Sequence, residues 1–213
     1  MNGQHYSIIV TTGETKQQIA DLIHDKAPGN AAHIENSAAF LLYCLDYTNI
    51  KLAFDIEGGE FDISNQYEPL IIGTLDVGIA MQNATLAAES LGYGIVYCGG
   101  VRGFGDKVSE LLNIPENALF LCGLSIGVKD EELSTEKVKP RLPNAANVGY
   151  NEFPKSNEEV LKEYRQTMVD FAEARDTKTW TKKFADFYAQ PSGIEKVTKE
   201  LLEKNGFVSE KKK

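Results

Sequence analysis

The chain has 213 residues, of which 42 % are hydrophobic and 25 % are charged, so it is long enough for a good-sized domain with a substantial core. Its formal net charge of −9 argues against nucleic acid or an anionic membrane as the main partner. The opening residues lack the basic and apolar regions of a signal peptide, and no stretch is predicted to span a membrane, which favours the cytoplasm.

The first part of the chain predicts a strand, a helix and a second strand. Residues 4–10 form a β-branched run that is typical of a strand. Residues 13–26 predict an amphipathic helix, which the Pro28-Gly29 pair ends. The continuous apolar run AFLLYCLDY at residues 39–47 predicts a strand that is buried on both faces.

The stretch from Thr74 to Gly105 organises the rest of the chain. A polar, irregular segment at residues 49–67 precedes it, and a short helix within that segment is left open. Between Leu75 and Leu91 nearly every position is small or apolar, without the polar face of a surface helix. This pattern predicts a central helix that is packed on most sides. Its small residues would let another backbone approach closely.

A glycine-rich loop leads from the central helix into the second half of the chain. Strands are predicted at residues 95–98 and 118–126, and a polar connection at residues 128–147. Further helices are predicted at residues 106–112, 157–174, 179–188 and 193–204. The pattern predicts one domain of α+β or α/β class over residues 1–208, with a solvated basic tail at residues 209–213.

Several site motifs are excluded by their context. The sequence GLSIG around Ser125 matches the G-x-S-x-G of serine hydrolases, but a polar loop follows it and all three histidines lie upstream. The glycines between residues 92 and 105 never form G-x-G-x-x-G, and no P-loop occurs. Cys44, Cys98 and Cys122 lie in apolar segments without metal-ligand spacing to the histidines, which predicts buried thiols and no metal site.

Three blocks carry a family likeness in their order and spacing, and they are MQNATLAAESLGYGIVYCGGVRG, LNIPENALFLCGLSIG and KPRLP. With a helical tail containing Thr179-Trp180, they resemble the nitroreductase superfamily of FMN-dependent oxidoreductases, in the branch of oxygen-insensitive NADPH nitroreductases and flavin reductases. The resemblance implies an α+β three-layer sandwich with an antiparallel-rich central sheet flanked by helices. It also implies an obligate homodimer with FMN at the subunit interface, which would cover the helix that lacks a polar face.

The resemblance implies which residues lie beside the flavin ring. Tyr97, Cys98, Gly99 and Gly100 fall where the family's strand and loop pass the ring, and glycines there allow a flat ligand to approach the backbone. The competing interpretation is a plain turn between a strand and a helix.

Two further groups fall on flavin-contacting positions of the family. Lys139 and Arg141 match its K-P-R, whose cations contact the FMN phosphate and ring edge and stabilise reduced flavin. Asn2, Gly3 and Gln4 match the end of a flavin-contacting segment before the first core strand. A solvated charged loop and a disordered terminus are the respective alternatives.

The nucleotide donor and the amino terminus complete the comparison with the family. Arg175 and Lys178 lie where this branch holds the NADPH 2′-phosphate, with helix-surface charge as the alternative. The family's first helix and its phosphate-gripping Arg-Ser-x-Arg have no counterpart here, which leaves a misassigned start, a lost amino terminus, or a variant that binds FMN through Lys139 and Arg141 alone.

The implied activity is ping-pong oxidation of NADPH or NADH through FMN. The acceptors would be nitroaromatics, quinones or free flavin, and no side chain is nominated as a catalytic acid or base. The alternative is an amino-terminally truncated relative with weak or no FMN binding, which acts as a non-catalytic scaffold or binding protein.

Overall fold

The computed structural model describes residues 2–130, 138–155, 157–172 and 178–209. The chain divides into two compact units, Met1–Asp130 with Gly193–Lys213, and Glu131–Ser192. The single domain over residues 1–208 stays a prediction. Of the predicted tail, residues 210–213 lie outside the described residues, and Ser209 Oγ accepts a hydrogen bond from Asn65 Nδ2 at 2.7 Å.

A four-stranded antiparallel sheet with the order β1-β2-β4-β3 forms the centre of the first unit. The strands are β1 (Tyr6–Thr11), β2 (Ala39–Asp46), β3 (Tyr93–Cys98) and β4 (Ala118–Val128). Each confirms a strand predicted from an apolar run, and together they confirm the antiparallel sheet.

Helices surround the sheet and build the second unit. They are α1 (Gly13–Ile23), α2 (Pro28–Glu35), α3 (Thr48–Glu57), α4 (Tyr67–Ser90), α5 (Gly105–Leu111), α6 (Asn144–Asn147), α7 (Glu158–Ala172), α8 (Trp180–Ala189) and α9 (Gly193–Lys204). The second unit contains α6, α7 and α8. In the first unit a 3-10 segment, Gly99–Phe104, joins β3 to α5.

Different helices cover the two faces of the sheet. Side chains alternate along β2, so this strand contributes to the packing on both faces. Phe40 and Leu42 face a core cluster that includes Ile19 of α1 and Ile34 of α2. Tyr43 points to the opposite face, where it packs with residues of α4. This arrangement confirms the three-layer α+β sandwich.

Pro28 begins a helix that the sequence interpretation missed. We expected the Pro28-Gly29 pair to end the first helix, but α1 ends at Ile23 and Pro28 is the first residue of α2. The fixed φ of proline and its missing N–H suit the first helical position.

At the other end of α2, the buried Lys16 ammonium donates to the carbonyl oxygens of Glu35 at 2.7 Å and Ser37 at 2.5 Å.

A Lys16→Met substitution is expected to lower the free energy of unfolding by about 1.5–3 kcal/mol, the usual contribution of hydrogen bonds from a charged donor. Methionine keeps the apolar stem but leaves the carbonyl oxygens of Glu35 and Ser37 without this donor. Urea denaturation at a fixed protein concentration measures the loss. Exposed Lys107→Met is the matched control, and an equal effect in both variants would contradict the assignment.

The central helix α4 is longer than predicted and is packed on one side only. Its buried residues are Gly73, Val77, Thr85 and Ala88. Large apolar side chains on its other side are more than half exposed, namely Ile71, Leu75, Ile79 and Leu86. The expectation that this helix is packed on most sides is therefore wrong for the single chain. Contrary to the sequence prediction, α4 is also long and apolar enough to cross a membrane, a test that core helices of soluble proteins pass as well.

Candidate functional site

Two residues that follow Gly99 and Gly100, in the segment after β3, hold this glycine segment in place. Val101 is fully buried in the core cluster beneath the sheet. The next side chain, Arg102, donates from Nη1 to the carbonyl oxygen of Leu121 in β4 at 2.7 Å. These two anchors leave the backbone of Gly99 and Gly100 half-buried at the start of the 3-10 segment.

Gly100 lies against α2, and only glycine fits there without displacing a neighbour. A methyl group on Gly100 would lie 2.5 Å from Nδ2 of Asn30, whereas one on Gly99 would lie 4.0 Å from Sγ of Cys122. Asn30 is therefore a side chain of this site that sequence reasoning missed. It is 70 positions from Gly100 and lies on a helix that was not predicted, so no local signal marks it.

Tyr97 and Cys98 point away from each other at the end of β3. The Tyr97 hydroxyl donates to Gln82 Oε1 at 3.0 Å and lies 2.7 Å from Thr85 Oγ1, so α4 fixes the half-exposed ring. The Cys98 thiol is fully buried 3.6 Å from Ser125 Oγ, and burial raises its pKa. Cys98 can therefore offer a ligand only its backbone.

The amino-terminal segment lies in a different place, beside α4. Asn2, Gly3 and Gln4 line a cavity of about 460 Å³ together with Tyr6, Asp76, Ile79, Ala80 and Asn83. The N–H and the ring of His5 hydrogen bond to the Asp76 carboxylate, which lowers the pKa of Asp76.

The structure does not bring these two groups together within one chain. β1 and β3 are opposite edges of the sheet, about 14 Å apart over three inter-strand spacings. The pairing of Tyr97 with Leu124, Leu124 with Leu41, and Leu41 with Val10 sets the level of Tyr97 along β1. The start of β1, at Tyr6, lies four residues before Val10, which adds about 13 Å along the strand. One flat ring cannot contact both groups of a single chain.

The second unit holds the predicted phosphate-binding cations on a short ordered turn. Arg141 Nη1 donates to the carbonyl oxygen of Lys139 at 2.9 Å, and the Tyr164 hydroxyl donates to that of Pro140 at 3.0 Å. Both cationic side chains are exposed, and within the described residues neither forms an ion pair. The turn therefore carries two exposed cations, a charge that suits an anionic ligand.

A cavity of about 550 Å³ in the second unit brings Lys139 and Lys178 to one site. Its aromatic wall consists of Tyr164, Trp180, Phe184 and Phe187. Lys178 also forms an ion pair with Asp186 at 2.8 Å, which offsets part of its charge. Arg175, the other predicted nucleotide-binding residue, lies outside the described residues.

Comparison with known proteins agrees with this architecture. The sequence profile described as the nitroreductase family matches residues 1–128, and its C-terminal domain profile matches residues 139–210. A protein of Pseudomonas sp. (strain G-1) named Cr(VI) reductase is 36 % identical, over 96 % of this chain and 82 % of its own length. FMN reductase [NAD(P)H] of Bacillus subtilis (strain 168) is 34 % identical, over 99 % of this chain and 84 % of its own length.

A solved structure extends the agreement from sequence to three dimensions. NfrA2 of B. megaterium superposes with a TM-score of 0.85 at 30 % identity, covering 99 % of this chain and 83 % of its own. The antiparallel sheet, the glycine segment after β3 and the cationic turn thus occur in a chain whose sequence and fold both match known relatives. The chain belongs to the nitroreductase family.

Proposed function

We propose that this chain is an FMN-dependent NAD(P)H oxidoreductase that reduces nitroaromatics, quinones or free flavin. The observation that carries the proposal is its 34 % identity to an FMN reductase [NAD(P)H] over 84 % of that protein's length. The half-buried glycine backbone after β3 supports it, since a flat ring can approach a backbone without Cβ atoms.

The residues present fit the two chemical halves of FMN. Gly99 and Gly100 suit the ring, and the exposed side chains of Lys139 and Arg141 suit the phosphate through charge-assisted hydrogen bonds. Bound FMN would supply the redox chemistry, taking a hydride at N5 from the nicotinamide and passing electrons to an acceptor in ping-pong order. The protein's part is to bind, orient and tune, and no side chain is assigned as a catalytic acid or base.

Two features of the single chain support the proposal of a homodimer with flavin between the subunits. The outer face of α4 leaves Ile71, Leu75, Ile79 and Leu86 more than half exposed, and an apolar face of this kind is typical of an interface. The two groups of predicted ring contacts also lie at opposite sheet edges. In a two-fold dimer, the glycine segment of one chain could meet the amino-terminal segment of the other.

The donor is NADPH or NADH, and the protein acts in the cytoplasm. Lys178 supports a contact to the 2′-phosphate of NADPH, although Asp186 competes for its charge. Because the Asp186 carboxylate offsets part of the Lys178 charge, we expect only a modest preference for NADPH over NADH. The packing of Val77 and Ala88 of α4 in the first unit supports a soluble enzyme rather than a membrane span.

The test is to purify the protein, add FMN, remove excess flavin and measure bound flavin by absorbance. We expect about one FMN per chain, NADPH or NADH oxidation with menadione or nitrofurazone, and parallel reciprocal plots, as ping-pong kinetics requires. A dimer should appear in sedimentation velocity. A protein that binds no FMN and oxidises neither donor would overturn the proposal in favour of a non-catalytic scaffold.

A further inference from the structure

Asp76 of α4 binds His5, the residue that follows the amino-terminal segment, through a single carboxylate oxygen. The backbone N–H of His5 donates to Oδ2 of Asp76 at 3.0 Å, and ring Nδ1 lies 2.9 Å from the same oxygen. Because a carboxylate only accepts, Nδ1 is the protonated ring nitrogen in this arrangement. The two residues are 71 positions apart in sequence.

The imidazole is also held from its face. Its ring stacks on Tyr47, with centroids 4.7 Å apart and planes 30° apart. Tyr47 is buried, and its hydroxyl donates to the carbonyl oxygen of Pro69 in the first turn of α4 at 2.9 Å. His5 is therefore fixed to α4 directly through Asp76 and indirectly through Tyr47.

The segment before His5 depends on this fixed ring. A methyl group on Gly3 would lie 2.0 Å from Cε1 of His5, so the chain passes directly against the imidazole. Gln4 has a φ of +51°, in the left-handed region that a non-glycine residue adopts at a cost. A strained residue of this kind persists only where its surroundings hold it in place.

We propose that Asp76 is a positioning residue, which through His5 fixes Asn2, Gly3 and Gln4 in the conformation that contacts the flavin ring. The inference rests on the proposed function. Without Asp76, Gln4 is free to relax to an ordinary backbone conformation, and binding must then reorder the segment. Such lost preorganisation weakens affinity without removing any group that touches the ligand.

The geometry makes the conservative variant informative. Both hydrogen bonds end on one oxygen, so the amide oxygen of an Asp76→Asn variant can accept both, whereas Asp76→Ala accepts neither. Asp55 on α3 provides the matched control, since it pairs at 2.8 Å with Lys51 on an exposed surface. Asp55→Ala removes an acid and an ion pair but leaves the amino-terminal segment intact.

The experiment titrates FMN and riboflavin into the apoprotein and follows the quenching of flavin fluorescence. Asp76→Ala should lower the affinity for both flavins alike, by about tenfold or more, because the amino-terminal segment contacts the ring and not the phosphate. The affinity of Asp76→Asn for both flavins should stay within about threefold of the wild type, and the affinity of Asp55→Ala should equal that of the wild type. The visible circular dichroism of bound flavin should change in Asp76→Ala only.

Two further variants keep the inference falsifiable if Asp76→Ala does not fold. His5→Ala and Gly3→Ala should each weaken both flavins, and adding Gly3→Ala to His5→Ala should have little further effect because the clash with the ring is gone. Wild-type affinity for both flavins in Asp76→Ala, or equal losses in Asp76→Ala and Asp76→Asn, would overturn the inference while leaving the oxidoreductase proposal standing. A wild-type protein that binds neither flavin would overturn both.

Discussion

A Gly100→Ala variant is expected to bind FMN roughly 5- to 150-fold more weakly than the wild type, the effect of inserting a methyl group into a closely packed contact at about 1–3 kcal/mol. The methyl would lie 2.5 Å from Nδ2 of Asn30. The end of this flexible side chain can rotate away, so the melting temperature of the apoprotein should change little. The ring of the ligand cannot rotate away. Fluorescence titration with FMN measures the affinity.

Two comparisons separate a ligand clash from a shift within the protein. Gly103 lies in the same 3-10 segment as Gly100, and a methyl group on it would lie 3.3 Å from Cγ1 of Ile194 in α9. The Gly103→Ala variant should therefore bind FMN normally. The double variant Asn30→Ala/Gly100→Ala removes the internal clash but not the clash with the flavin. If affinity returned to that of Asn30→Ala alone, the flavin would not lie against Gly100 and the assignment of the glycine segment would be wrong.

A Lys139→Ala/Arg141→Ala variant is expected to lose about 100-fold or more in FMN affinity, because each charge-assisted hydrogen bond contributes about 1.5–3 kcal/mol. Riboflavin lacks the phosphate, so its affinity should change far less. Both flavins are titrated into the same apoprotein preparations. The ratio of the two losses isolates the phosphate contribution.

The turn that carries these cations offers its own controls. Arg141→Lys should recover only part of the affinity, since an ammonium cannot form the two-pronged contact of a guanidinium. Tyr164→Phe removes the hydrogen bond to the Pro140 carbonyl oxygen without touching either cation, and should give a smaller loss for FMN alone. Equal losses for FMN and riboflavin in the double variant would show that Lys139 and Arg141 do not bind the phosphate.

The flavin titrations also distinguish the proposed parts of the site from one another. Variants of the Lys139-Pro140-Arg141 turn should affect FMN selectively, whereas Asp76→Ala should affect FMN and riboflavin together. These signatures do not depend on knowing the physiological acceptor. They therefore test where each half of the ligand binds even before turnover is measured.

The sequence predicted the strands well because their signal is local. AFLLYCLDY and ALFLCGLSI are continuous apolar runs of strand length, and they became β2 and β4, the two inner strands of the sheet. Inner strands are covered on both faces, so few of their positions can be polar. α2 was missed because a proline-glycine pair reads as a helix stop, yet proline is equally suited to a helix start.

The residue types of the candidate site were likewise readable from the sequence, through family blocks such as YCGGVRG and KPRLP. Their neighbours were not readable. Asn30 beside Gly100, and His5 on Asp76, join positions about 70 residues apart, and no local pattern encodes such a pair. The burial of α4 was also misjudged, because its composition shows that both sides are apolar but not which side the same chain covers.

The sequence by itself predicted the four strands of the sheet and the family, and it nominated the glycines and cations of the candidate site. Only the tertiary structure decided that the two groups of predicted ring contacts lie at opposite sheet edges, and that Asp76 hydrogen bonds to His5, the residue next to one of these groups. The physical reason is the range of the interactions involved. Apolar periodicity acts over a few residues, whereas strand order and side-chain hydrogen bonds join residues that only the folded chain brings together.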